Sequence, residues 1–277
     1  MKEIDRNKIK TIQLAILDKV DEYCSRHQIT YYLTSGTLLG AVRHQGYIPW
    51  DDDIDICMKR DDYERFFAGF NEEAQGIRAI NQDNYRGYYL ASGKVIDERT
   101  VMVEESNFNI PIGVYIDVFP MDFFPVDMKK IKRLNRRIAV YRDMLLLKSI
   151  KYNPKRSIVK NSVLFVGRLI CKPFSLSWIL SRIKRLATSY NNDDNLLFTA
   201  CISVFTYGMR EIVRVENYSR TVPLLFEGKQ YPAPVGYEDV LSAMYGEDYM
   251  CLPPEEKRIS HHAYSTHEFF EIDPKEL

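Results

Sequence analysis

Between Ile29 and Met58 the chain changes local character repeatedly, and the order of those changes restricts the fold more than any other stretch. Ile29-Thr30-Tyr31-Tyr32-Leu33-Thr34 is β-branched and aromatic enough for a strand. Ser35-Gly36 breaks it, and Thr37-Leu38-Leu39-Gly40-Ala41-Val42-Arg43 resumes with helical character. A strand that turns on glycine into a helix aims free backbone N–H groups, and the positive end of the helix dipole, at whatever anion sits there. After Pro49-Trp50, the run Asp53-Ile54-Asp55-Ile56-Cys57-Met58 alternates polar and apolar residues. Asp53 and Asp55 are therefore expected on one strand face, with Ile54 and Ile56 in the core. Two carboxylates so placed can share a divalent cation that also binds phosphate oxygens. Each piece has a bland alternative: glycine turns are common, and Asp51-Asp52-Asp53 reads equally as a solvated acidic turn. Their combination in this order is what points to phosphoryl or nucleotidyl transfer.

A third carboxylate lies in Gly113-Val114-Tyr115-Ile116-Asp117-Val118-Phe119-Pro120, one acid inside an apolar and aromatic strand. Burying it unpaired costs several kcal/mol, so Asp117 is expected to be paired, metal-bound or catalytic. Gly36, the pair Asp53 and Asp55, and the single Asp117 match the three-part pattern of the nucleotidyltransferase fold. The expected class is α/β (α+β), a small mixed sheet with flanking helices.

The run YYLTSGTLLGAVRHQGYIPWDDDIDICMKRDDYERF resembles the signature of the LicD family, whose relatives include fukutin and fukutin-related protein. Later blocks resemble the family too: Lys94-Val95-Ile96-Asp97 with Thr100, Val114 onward to Pro120, and Tyr245-Gly246-Glu247-Asp248-Tyr249 within 232–254. The resemblance implies metal-dependent transfer of a phosphorylated alcohol, such as phosphocholine or ribitol or glycerol phosphate. The donor would be a cytidine-diphosphate (CDP) alcohol and the acceptor a sugar hydroxyl of a surface or capsular glycan, soluble or lipid-linked. On that reading Asp53, Asp55 and Asp117 form the catalytic and metal set for Mg²⁺ or Mn²⁺, with Asp117 either a ligand or the base. Ser35, Gly36 and Thr37 cradle phosphate, and Arg43, His44 and Lys94 are further substrate-binding candidates. Two alternatives stay open: a nucleotidyltransferase that attaches a nucleoside monophosphate to a small acceptor, and a non-catalytic scaffold that binds nucleotide or membrane.

The zero net charge of the 277 residues hides an asymmetry, since residues 129–187 hold 17 Lys or Arg against the single acid Asp143. Apolar and aromatic stretches interleave these cations, notably around Phe165, Phe174 and Trp178. A basic helical insertion at about 127–190 is expected, which either docks on an anionic membrane or pairs with the acidic remainder. Nucleic acid is not an expected partner, because no zinc-finger spacing or RNA-binding signature accompanies the charge. Five scattered cysteines, none in a C-x-x-C pair, argue against a disulfide framework and a cysteine zinc site. The polar start Met1-Lys2-Glu3-Ile4-Asp5 lacks a signal-peptide core, and no run reaches 18 apolar residues, so a cytoplasmic location, peripheral to the membrane at most, is the expectation.

Elsewhere, Ile9, Ile12, Ile16, Val20 and Tyr23 step as an amphipathic first helix that serves packing and ends near His27-Gln28. A second helix starts at Asp61, and 88–95 and 100–104 read as strands. The segment 216–277 is expected to fold back on the core of a single domain, extended at 231–236 and helical at 237–245, with His261-His262 on its surface.

Overall fold

The computed structural model describes residues 2–103, 110–150, 153, 156–258 and 268–272. After β1 (Lys2–Glu3), α1 (Arg6–His27) starts at Asp5, whose side chain accepts the Lys8 N–H, and stops at Gln28, which adopts φ 53. β2 (Tyr31–Leu33), α2 (Ser35–His44), β3 (Asp55–Lys59), α3 (Arg60–Glu73), β4 (Ile77–Ile80), β5 (Gly93–Asp97), β6 (Thr100–Val103) and β7 (Tyr115–Pro125) follow. Three helices come next, α4 (Met128–Ser149), α5 (Ile158–Cys171) and α6 (Leu176–Ala187). The chain then forms β8 (Leu196–Ala200), β9 (Val213–Arg214), β10 (Thr221–Phe226), β11 (Lys229–Pro234), α7 (Tyr237–Tyr245) and β12 (Glu268–Glu271). This is the expected mixture of helices with a mixed sheet.

The main sheet runs β2-β3-β7-β5-β4, and β8 and β9 extend it from the far half of β7. β3 and β7 are parallel, whereas β2 and β5 pair antiparallel with their neighbours. That register matters for everything below. It sets Asp55 opposite Asp117, and Asp117 opposite Lys94, so three charged residues of three adjacent strands share one row. The alternation in β7 sends Ile116 and Val118 into a core shared with Leu17, Val20, Ile56 and Phe66.

A second core joins the helices to the sheet, with Ile131, Leu134 and Ile138 of α4 and Ile179 and Ile183 of α6 packed around Phe124 of β7. At this junction the buried Arg60 guanidinium grips Asp122 with two hydrogen bonds, 2.9 and 2.6 Å, and Asn191 donates to the same carboxylate at 2.9 Å. Among the described residues no single helix is long and apolar enough to cross a membrane.

Some expectations move. The strand expected from residue 88 begins only at Gly93; Tyr88 and Leu90 instead fill a small cluster with Ile80 and Ile96. Asp53 lies just ahead of β3, which starts at Asp55. Phe174 and Trp178 pack partly onto the second core, so among the three interleaved aromatics only Phe165 faces solvent. Glu104 and His261-His262 lie outside the described residues.

Candidate active site

α2 begins at Ser35, which takes φ 50, directly after β2, and its N-cap residue Thr34 makes no side-chain cap bond. The first N–H groups of this helix are thus left to whatever lies in front of them. What lies there is acidic. A Cβ on Gly36 would stand 2.3 Å from an Asp51 carboxylate oxygen, so glycine is the residue that lets this carboxylate approach the helix. The Thr37 hydroxyl accepts the Asp55 N–H at 2.8 Å, and the Thr34 N–H donates to the Asp55 carbonyl, which ties the helix start to β3.

Asp51, Asp52 and Asp53 bring carboxylate oxygens within 4.8 Å of one another. Burial first, then the charge of Asp53, pushes the Asp51 carboxyl up to about 7. Asp55 is pushed well up by burial and then by Asp53, Asp117 and Asp51 in turn, with Lys94 opposing. A helix N-terminus favours an anion by at most about 2 kcal/mol, so crowding and burial outweigh it here. Crowded, partly buried like charges with oxygen-only donors are the chemistry of a hard divalent cation, whose charge would relieve the repulsion; these residues fit Mg²⁺ or Mn²⁺.

Lys94 is 6% exposed; its ammonium bonds both oxygens of Asp117, at 2.7 and 2.9 Å, and sits 3.4 Å from the Tyr115 ring centre. Nearby Tyr88 is 3% exposed, and its hydroxyl finds no hydrogen-bond partner among the described residues. Burial and then the charge of Asp117 push that hydroxyl up. Tyr207 and Tyr245 join hydroxyls at 2.7 Å, and both are pushed up, by burial first and to a smaller degree by the charges of Asp55 and Asp51.

Seven of the nine residues singled out from sequence therefore assemble: Ser35, Gly36, Thr37, Asp53, Asp55, Asp117 and Lys94. The other two sit at the opposite end of α2, about 13 Å along its axis. Arg43 donates to the carbonyls of Tyr249 and Cys251, at 2.8 and 3.2 Å, and so clamps the C-terminal segment. His44 packs edge-on to Trp50, and burial followed by Arg43 lowers its pKa.

Sequence reasoning missed Asp51 as a member of the cluster, because three consecutive aspartates look like a solvated turn. It also treated α1 as packing alone. In fact Arg6 donates to the Asp51 carbonyl at 2.9 Å and Gln13 to the carbonyls of Asp52 and Tyr115, at 3.0 and 3.3 Å. The helix fixes the backbone of the acidic loop.

Residues 28–152 match a family model described as LicD/FKTN/FKRP, nucleotidyltransferase domain. The chain is 29% identical over 271 residues to the lipopolysaccharide cholinephosphotransferase LicD of Haemophilus influenzae, covering 95% of this chain and 97% of that protein. It is 49% identical over 109 residues to an uncharacterized protein of Rickettsia prowazekii, 39% of this chain and 40% of that one. Against the human ribitol 5-phosphate transferase FKRP it is 32% identical over 97 residues, 35% of this chain and 17% of that protein.

Proposed function

The chain belongs to the LicD family, and from that premise we propose that it transfers a phosphorylated alcohol from a CDP-alcohol to a sugar hydroxyl of a glycan. The observation that carries this reading is the convergence of Asp51, Asp53, Asp55 and Asp117 at the start of α2. The names of two relatives support phosphoalcohol transfer, one a cholinephosphotransferase acting on lipopolysaccharide and one a ribitol 5-phosphate transferase.

In this reading Asp53 and Asp55, with Asp51 alongside, hold Mg²⁺ or Mn²⁺, which when bound supplies Lewis-acid neutralisation of charge on the donor diphosphate. The N–H groups of Ser35, Gly36 and Thr37 bind phosphate oxygens at the helix start. The acceptor hydroxyl oxygen attacks the phosphorus that carries the alcohol, and the bond from that phosphorus to cytidine monophosphate breaks. Asp117 accepts the hydroxyl proton, and Lys94 holds the carboxylate in place for it. The test is to incubate the protein with CDP-choline, CDP-ribitol and CDP-glycerol, each with Mg²⁺ and a glycan acceptor, and to follow cytidine monophosphate. Release from one donor, dependent on acceptor, is the expected result. Pyrophosphate release from a nucleoside triphosphate, with none of the CDP-alcohols consumed, would replace this reading by nucleotidyl transfer.

A further inference from the structure

The cations of the helical insertion fall into two sets. Some are internally satisfied: Lys184 pairs with Glu64 and Asp83, each at 3.0 Å, and Arg142 donates to the Val204 carbonyl and to Asn135. Others line a groove of about 400 Å³ between α4 and α6, namely Lys130, Arg133 and Arg137 on one wall and Arg182 and Arg185 on the other. Steps of three and four residues stack each set on one helix face. Among the described residues none of the five pairs with a carboxylate; Arg182 lies over the Trp178 ring, 5.1 Å from its centre. Five like charges around one groove favour an anion, and planar guanidinium groups match phosphate oxygens in particular.

α5 supplies the second, independent feature. It buries only Cys171, and it meets α4 where Gly167 leaves Leu147 3.1 Å from the place of a Cβ. At 100° per residue, positions 158, 159, 162, 163, 165, 166, 169 and 170 fill one continuous arc of roughly 160°. That arc carries no charge, and Ser162 is its one polar side chain. Ile158 is 85% exposed, Val159 73%, Phe165 68% and Ile170 66%. An outward apolar arc of this extent marks a docking surface. A second copy is a poor occupant, because it would bring the same excess of cations face to face. Nucleic acid would leave the apolar arc without a role. An anionic lipid surface answers both features at once.

We propose that α4, α5 and α6 dock the protein on an anionic phospholipid bilayer, α5 laying its uncharged arc in the interface and the α4–α6 groove taking a lipid phosphate. This docking does not rest on the transfer reading. The test is flotation of the full chain with vesicles of phosphatidylcholine alone or mixed with phosphatidylglycerol, at low and high salt and with added inorganic phosphate, in the absence of any donor. Binding to the phosphatidylglycerol vesicles alone is expected. Arg133→Ser with Arg137→Ser should lower it about thirtyfold, the product of about fivefold for each cation near an anionic surface. Phe165→Glu with Leu169→Glu should remove the part that survives high salt. All four positions lie on helix surfaces, and thermal melts verify that the variants fold. Several results would overturn the proposal: no binding at low salt, equal binding to both vesicle types, full release by inorganic phosphate, or α5 variants that change oligomeric state while vesicle binding persists. None of these outcomes touches cytidine monophosphate release, so the two proposals fail separately.

Discussion

The sheet and the three-helix segment α4–α6 handle charge in opposite ways. At the edge of β3, carboxylates are pressed together and partly buried, and the Asp51 carboxyl rises to about 7 as a result. On α4 and α6 the groove cations line an open surface, where water screens like charges at little cost. A rise of that size costs the folded protein on the order of a few kcal/mol at neutral pH, a large fraction of the stability of an ordinary domain. The difference teaches that clustered charge is informative in proportion to its burial. The acidic cluster is held together against its own repulsion, by Gly36 that admits it and by Arg6 and Gln13 that fix its loop, whereas the basic groove needs no such support.

The sharpest way to break the comparison is Asp55→Asn. If repulsion is retained for chemistry, this change lowers transfer by at least about 10³-fold while the metal-free protein melts higher, by about 2–4 °C for each kcal/mol of relieved repulsion. Loss of both activity and stability would instead make Asp55 a structural residue. Next in size is Arg60→Met, which strands the fully buried Asp122 and is expected to cost about 3–5 kcal/mol in urea unfolding. A cost below about 1 kcal/mol would show that Asn191 suffices to hold Asp122. Gly36→Ala is the third: its Cβ must displace the Asp51 carboxylate, and a shift of about 1 Å there predicts a loss of roughly 10²-fold in turnover with little change in unfolding midpoint. Unchanged turnover would remove the helix start from the site.

The smallest effect concerns pH. Burial raises the Glu211 carboxyl from 4.5 to about 7, so the folded state keeps a proton that the unfolded chain has released. Its contribution to stability is full below about pH 4.5 and is lost as pH rises through about 7. Glu211→Gln keeps the side chain neutral, so melting temperatures measured from about pH 5 to pH 8 should decline less steeply than in the wild type. An unchanged slope would leave the decline to the aspartate cluster alone.

Local signals carried much of this structure. The stepping of Ile9, Ile12, Ile16, Val20 and Tyr23 marked α1 and its end near Gln28. The alternation around Asp55 and the apolar, aromatic run around Asp117 each marked a strand. Register was not legible: nothing local says that Lys94 stands opposite Asp117, or that Arg60 reaches Asp122 across 62 positions. Direction was not legible either. The apolar period of α5 is that of an ordinary core helix, and only the packed fold shows that its arc points outward. Arg43 illustrates a third limit, since its place in a family block says nothing about its bonds to the carbonyls of Tyr249 and Cys251.

The most direct test of the acidic cluster as a metal centre is a calorimetric titration of Mn²⁺ into the wild-type chain and into an Asp53→Asn, Asp55→Asn double variant, each with cytidine diphosphate present. Saturable binding by the wild type that disappears in the double variant, with coincident circular dichroism spectra, is the expected result. Equal Mn²⁺ binding by both proteins, or none by the wild type, would contradict a metal site at the start of α2.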